Sequence, residues 1–283
     1  MKPKVIVITG ASSGIGKATA LHLLNKGHIV YGAARRVEKM QDLKAKGGHD
    51  LKMDITSEAD IQNVVKQVID KHQHIDILIN NAGYGVYGAV EDVPIEEARK
   101  QFEVNLFGLA RITQLFLPYM RKAKSGRIIN ISSIGGKIYS PLGAWYYATK
   151  HALEGWSDSL RLDLKPFHVD VVLIEPGVIQ TEFGDVMSET LSKYSGDSAY
   201  QQMVNAVKKA SEESFQRTDG GSPVEVVAQV IDKAINARKP KTRYRVGKYS
   251  TLLPLLRIYL GDRIYDRMVL FQLNKIASKA KKR

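Results

Sequence analysis

Tyr146 and Lys150 lie four positions apart within a segment of helical periodicity, Gly143 to Leu164, so a phenol and an ammonium share one helix face. A phenol titrates near ~10 in water and exchanges a proton with a substrate oxygen near neutral pH only if its anion is stabilised. Lowering it by about three units takes ~4 kcal/mol, which a unit charge ~4 Å away supplies at an effective dielectric of ~20. The spacing alone is weak, because the chain holds 13 tyrosines and a second such pair, Tyr244 and Lys248. Context separates the two. Only Tyr146 lies downstream of a buried-looking run, Arg127 to Ile131, that ends in Ser132-Ser133. The carboxyl end of such a strand and the next helix converge where open α/β sheets bind ligands. Ser133 has no His and Asp in a pattern for acyl transfer, which argues against a hydrolase.

The second group is the turn Thr9-Gly10-Ala11-Ser12-Ser13-Gly14-Ile15-Gly16, which follows the β-branched run at 4–9 and opens a helical pattern. Gly10 permits the tight turn, Gly14 lets the backbone approach a pyrophosphate, and Gly16 lets the helix pack on the sheet; Ser12, Ser13 and Ile15 complete a dinucleotide cradle at a helix N-terminus. An NAD site usually places an acid at the end of the second strand. Here Ala34 stands there, followed by Arg35 and Arg36, which suit a 2′-phosphate and favour NADP over NAD. Asp54, after the third strand, is placed to accept from the adenine amino group or to cap a helix.

These residues need elements to position them. Strand-like runs at 4–9, 29–34, 51–53, 75–79, 127–131, 169–174 and 242–247 alternate with helical patterns, among them Ile95 to Arg121. Such alternation predicts an α/β fold: a doubly wound, Rossmann-type parallel sheet with helices on both faces. Residues 1–250 form one expected domain, with a substrate flap at 177–221 containing a helix from Ala199 to Ser214, and residues 251–283 form a C-terminal extension. The 283 residues, 44% hydrophobic and 25% charged, describe an ordinary globular chain rather than a disordered one. The longest stretch free of Asp, Glu, Lys and Arg is 77–90, too short and too rich in glycine to span a bilayer. Zero cysteines exclude thiolate chemistry and a disulfide framework, and the cytoplasm is the expected compartment. His72 and His74 make no metal-ligand pattern, so no metal is expected.

The net charge of +13 is concentrated: residues 238–283 hold 14 Lys and Arg against Asp262 and Asp266. Nucleic-acid binding is not expected, because the rest of the chain is nearly neutral and no base-reading module is present. Instead, Tyr265, Met268, Val269, Leu273 and Ile276 fall on one stripe of a predicted helix running from Leu252 to Arg283, flanked by Arg263, Arg267, Lys275, Lys279 and Lys282. That stripe could pack on its own domain, meet a second subunit, or give peripheral contact with an anionic membrane.

Together the motifs resemble the short-chain dehydrogenase/reductase family, in its branch with subunits of about 250 residues. The resemblance covers 4–247 and rests on Thr9-Gly10-x-x-x-Gly14-x-Gly16, Asn80-Asn81-Ala82-Gly83, Asn105 within VNLFG, Ser133, Tyr146-x-x-x-Lys150 and Pro176-Gly177-x-x-x-Thr181. It implies that Tyr146 exchanges the proton, that Lys150 acidifies it and binds the nicotinamide ribose, that Ser133 bonds the substrate oxygen, and that Asn105 holds a water for proton relay. Asn81, Ala82 and Gly83 would floor the adenine side, and Pro176, Gly177, Val178, Ile179 and Thr181 would meet the carboxamide. It also implies a homodimer or homotetramer. Tyr84, Tyr139, Leu142, Trp145, Phe183 and Met187 are expected to wall a site for a lipophilic carbonyl or secondary alcohol, as in the similar 17β-hydroxysteroid and retinol dehydrogenases. A catalytically silent NADP-binding regulator, or an epimerase or dehydratase reusing the tyrosine, are the alternatives.

Overall fold

Val5–Thr9 is almost entirely β-branched, and all five residues are buried, as a strand covered on both faces requires. It forms β1 and is followed by α1 (Gly14–Asn25), β2 (Ile29–Ala34), α2 (Gln41–Ala45), β3 (His49–Lys52), α3 (Glu58–His72) and β4 (Ile77–Asn80). Then come α4 (Ile95–Phe102), α5 (Leu109–Ala123), β5 (Gly126–Ile131), α6 (Ala144–Leu164) and β6 (Val169–Pro176). The remaining elements are α7 (Phe183–Ser195), α8 (Gln201–Gln216), α9 (Val224–Asn236), β7 (Arg243–Val246), α10 (Leu252–Leu260) and α11 (Asp262–Ala280). The computed structural model describes residues 2–216 and 220–280. Lys282 and the side chain of Lys279, assigned from sequence to a basic flank, lie outside the described residues.

The seven strands run parallel in the order β3-β2-β1-β4-β5-β6-β7, the doubly wound sheet the alternation predicts. One face carries Leu23 of α1 and Ile231 of α9 against Ile6 and Ile8. The other carries Val64 of α3 and Phe116 of α5 against Val7 and Leu78. Chain direction across the sheet reverses between β1 and β4, which opens the crevice at their carboxyl ends. A buried polar chain crosses the middle: Asn80 Nδ2 donates to Thr113 Oγ1 (3.0 Å) and Asn130 Oδ1 (2.9 Å), and Asn130 Nδ2 donates to Ser157 Oγ (2.9 Å).

Three elements differ from the periodicity. The pattern from Ile95 to Arg121 is broken by a π-helical turn at Glu103–Gly108, where Gly108 passes so close to Ile55 that a Cβ would stand 2.2 Å from its carbonyl oxygen. The flap has a second helix, α7, ahead of the expected one. The C-terminal pattern is two helices rather than one, because Gly261 takes φ 74° between α10 and α11.

Candidate active site

At the glycine turn, Gly10 adopts φ 68° and Gly14 φ 52°, conformations that side chains with a Cβ adopt only under strain. A Cβ on Gly16 would stand 2.4 Å from both Asn81 Nδ2 and Gly10 O. Asn81 is the reason: its Nδ2 donates to Thr9 O (3.0 Å) and Gly10 O (3.1 Å), while the Asn81 and Ala82 N–H groups donate to Thr9 Oγ1. Asn81 and Ala82 thus tie the end of β4 to the turn. Ser13 is the N-cap residue of α1, and its side chain makes no capping bond, so the first-turn N–H groups keep an anion-binding face. A groove of about 570 Å³ opens against Ser12, Ser13 and Gly14, with Lys17 and Lys39 at its rim. These residues fit a pyrophosphate.

Arg36 Nη2 donates to Ser13 Oγ at 3.1 Å and to Glu182 Oε2 at 3.2 Å, whereas Arg35 is exposed on the side of Asp54 and Tyr84. Asp54 Oδ1 accepts from Thr56 N (2.9 Å) and Oγ1 (2.8 Å). Burial opposes its ionisation, but the Thr56 bonds and the charge of Arg35 hold it below the usual carboxylate range. That oxygen therefore closes the turn at 54–56, while the N-cap of α3 is Ser57, whose Oγ accepts from Asp60 N at 3.3 Å.

Tyr146 and Lys150 of α6 reach the end of β5, as the four-residue spacing requires. The phenol is 7% exposed, under Phe183 and Tyr87 with ring centroids at 5.1 and 5.5 Å. Burial pushes its pKa above the usual phenol range, and only the neighbouring Ser133 hydroxyl draws it down. Lys150 Nζ donates to Ile131 O at 2.9 Å. Burial lowers its pKa to about 8, against the attraction of Glu154 one turn along. Burial thus outweighs the Ser133 hydrogen bond and leaves the phenol above its ordinary range in this arrangement.

Asn105 sits in the π turn and is 2% exposed. Its Nδ2 donates to Tyr84 O (2.9 Å) and Thr149 Oγ1 (3.0 Å), and its Oδ1 accepts from Tyr84 N (3.1 Å). The amide thus clamps the β4 loop to α6. Gly83 lies against it, since a Cβ there would meet Asn105 Oδ1 at 3.1 Å.

Past Pro176, the Gly177 and Val178 N–H groups donate to Val246 O (2.8 Å) and Lys248 O (3.1 Å), and Val178 O accepts from Ser222 N (2.9 Å). Those bonds anchor the loop to β7. Ile179 forms a parallel bridge with Ser222, which turns its own N–H and C=O the other way. A Cβ on Gly14 would be 3.4 Å from Thr181 Cγ2, so Thr181 faces the glycine turn.

The expected apolar wall is partly assembled. Leu142, Phe183 and Met187 join Tyr87, Tyr146 and Leu191 in one cluster. Tyr139 does not: its hydroxyl donates to Asp262 and Asp266 and its ring meets Tyr265, because the C-terminal helices capture the loop. Tyr84 is held by Asn105, and Trp145 also lies outside this cluster, its buried indole nitrogen unpaired. Tyr147, Val204 and Val207 were missed by sequence reasoning, and only the adjacent Tyr146 marked one of them, whereas Leu273 comes from the apolar stripe of the C-terminal segment.

The profile of the short chain dehydrogenase family matches residues 4–192. The chain belongs to that family. It is an oxidoreductase with a Rossmann fold for a nicotinamide dinucleotide. It is 37% identical to the 3-ketodihydrosphingosine reductase of Bacteroides thetaiotaomicron, covering 89% of this chain and 91% of that one. It is 34% identical to the NADPH-dependent 3-dehydrocapnine reductase of Ornithobacterium rhinotracheale, covering 97% and 99%. A short-chain dehydrogenase from Streptomyces avermitilis superposes with a TM-score of 0.75 at 31% identity over 99% of this chain and 98% of that one.

Proposed function

We propose that this short-chain dehydrogenase uses NADPH to reduce a lipophilic, long-chain ketone to a secondary alcohol, or the reverse. The observation that carries the reading is Ser133, Tyr146 and Lys150 gathered at the ends of β5 and α6 under an apolar, aromatic cover. Two relatives named for keto-lipid reduction, one of them with NADPH, support it.

In this reading the bound dinucleotide supplies or accepts the hydride. Ser133 donates to the substrate carbonyl, Tyr146 gives the proton to the developing alkoxide, and the Lys150 ammonium holds the nicotinamide ribose and favours the phenolate that remains. The first turn of α1 receives the pyrophosphate, and Ile179 and Thr181 face the carboxamide. Arg35 and Arg36 receive the 2′-phosphate. Residues 1–250 are read as the oxidoreductase domain, 177–221 as its substrate flap and 251–283 as an extension. Membership of the family supports a homodimer or homotetramer, and the absence of cysteine supports a cytoplasmic setting.

The test is NADPH absorbance loss with a panel of ketones: short-chain, steroidal, and long-chain amphiphiles such as 3-ketodihydrosphingosine. Turnover at higher kcat/KM for the long-chain ketones, with NADPH preferred over NADH, is expected. Equal activity on short polar ketones, or a preference for NADH, refutes the substrate or the cofactor assignment respectively.

A further inference from the structure

Of the apolar stripe legible in the C-terminal sequence, Tyr265, Leu273 and Ile276 turn inward, whereas Met268 stays exposed. Tyr265 is buried and donates to Tyr139 O at 3.2 Å, Ile276 is buried, and Leu273 packs against the flap cluster. The acids of this segment turn the same way, with Tyr139 Oη donating to Asp262 Oδ1 at 3.3 Å and Asp266 Oδ1 at 2.9 Å. Arg257 is also directed inward, with Nη1 donating to Lys137 O at 3.0 Å.

What remains outside is a second apolar stripe. Ile264, Met268 and Phe271 are exposed at spacings of four and three, so they share one face of α11, and Phe271 is 71% exposed. Ile258, Tyr259 and Leu260 at the end of α10 are exposed as well, with Tyr259 at 80%. Arg263, Arg267 and Lys275 flank the α11 stripe and are themselves exposed. This helix therefore ties its two carboxylates, themselves solvent-exposed, back to Tyr139 and presents three cations, with bulky apolar side chains between them, on the outside. Isolated exposed apolar residues need no explanation, but a patch of this kind, framed by one sign of charge, marks a surface for a partner.

We propose that this face is a peripheral docking surface for an anionic lipid bilayer. Aromatic and branched side chains would enter the boundary between headgroups and acyl chains, while guanidinium and ammonium groups meet lipid phosphates. Charge decides against a second copy as occupant. A two-fold contact between identical faces brings Arg263, Arg267 and Lys275 toward their own equivalents, whereas an anionic surface complements all of them. The attachment is superficial, since no described helix is long and apolar enough to cross a membrane. Each cation near an anionic surface strengthens partitioning by about fivefold.

The experiment is flotation of the full-length protein with vesicles of phosphatidylcholine alone and of phosphatidylcholine mixed with phosphatidylglycerol. Two double variants, Tyr259→Glu with Phe271→Glu and Arg263→Glu with Arg267→Glu, are floated beside it, and their thermal melting is compared with the parent. The parent protein is expected to float with the anionic vesicles only and to be released by high salt, with either variant losing about tenfold or more of that partitioning while melting unchanged. The proposal is overturned if the parent stays in the soluble fraction with anionic vesicles, if its flotation is indifferent to salt, or if folded variants float equally well. It is also overturned if sedimentation shows the apolar variant splitting an oligomer with flotation unaltered, which would make the face a contact between copies. The salt dependence of the parent protein decides the matter even if a variant fails to fold.

Discussion

Glu182 Oε2 lies 3.2 Å from Arg36 Nη2, joining the residue that precedes α7 to the loop after β2 across the mouth of the glycine-turn groove. The Arg36 guanidinium, with Lys39 beyond it, holds the Glu182 carboxyl below the usual range. In the proposed NADPH complex the 2′-phosphate takes the same guanidinium, so the carboxylate would compete with it. Because the pair is exposed, the competition is weak: Glu182→Gln should tighten NADPH by about two- to fivefold and leave NADH unchanged, as read by calorimetric titration. Equal effects on the two cofactors would show that Arg36 does not meet the phosphate.

Tyr146→Phe keeps the ring that packs on Phe183 and removes the hydroxyl that carries the proton. Turnover should fall by about a hundredfold to ten-thousandfold while NADPH affinity stays within about twofold. Ser133→Ala should lower kcat in the same direction, since it removes the hydroxyl that assists the phenol. Retained turnover in Tyr146→Phe would remove the phenol from the reaction.

Lys150 gives a stability signature. Burial, opposed by Glu154, lowers its folded pKa from 10.5 to about 8, so between those values the unfolded chain binds the extra proton and the folded one does not. Stability therefore rises with pH across that window, and the cost of the buried ammonium is complete below about 8. The unfolding free energy of Lys150→Met relative to the parent should be most favourable below that window and decline by about 3 kcal/mol through it. Urea unfolding across this pH range reads the difference, and a pH-independent gap would contradict the burial.

Two glycines should respond with opposite signs. Gly16→Ala forces a Cβ to 2.4 Å from Asn81 Nδ2 and Gly10 O, and should cost about 1 to 3 kcal/mol together with dinucleotide affinity. Gly155, inside α6, has open space where a Cβ would stand, with nothing within 4 Å, so Gly155→Ala should stabilise by up to about 1 kcal/mol. Thermal melting with and without NADPH distinguishes the two effects. A destabilised Gly155→Ala would show that the site is covered in the assembled protein.

The order of strands and helices, the glycine turn, and the placement of Ser133, Tyr146 and Lys150 together were legible in the sequence. Torsional preference, helical spacing and glycine permissiveness act over a few residues, and right-handed crossovers then leave little freedom in ordering the strands. Which polar group is free to meet a ligand was not legible. Asn81 is engaged by Thr9, 72 positions away, Asn105 by Tyr84 and Thr149, and Arg36 by Glu182, 146 positions away. Tyr139 was drawn to the C-terminal helices, and of two apolar stripes on α11 only packing decided which one stayed outside. Residue type states what a side chain can bond. The tertiary structure decides what it does bond, because each donor and acceptor has few sites and the nearest partner in space, however distant in sequence, takes them first.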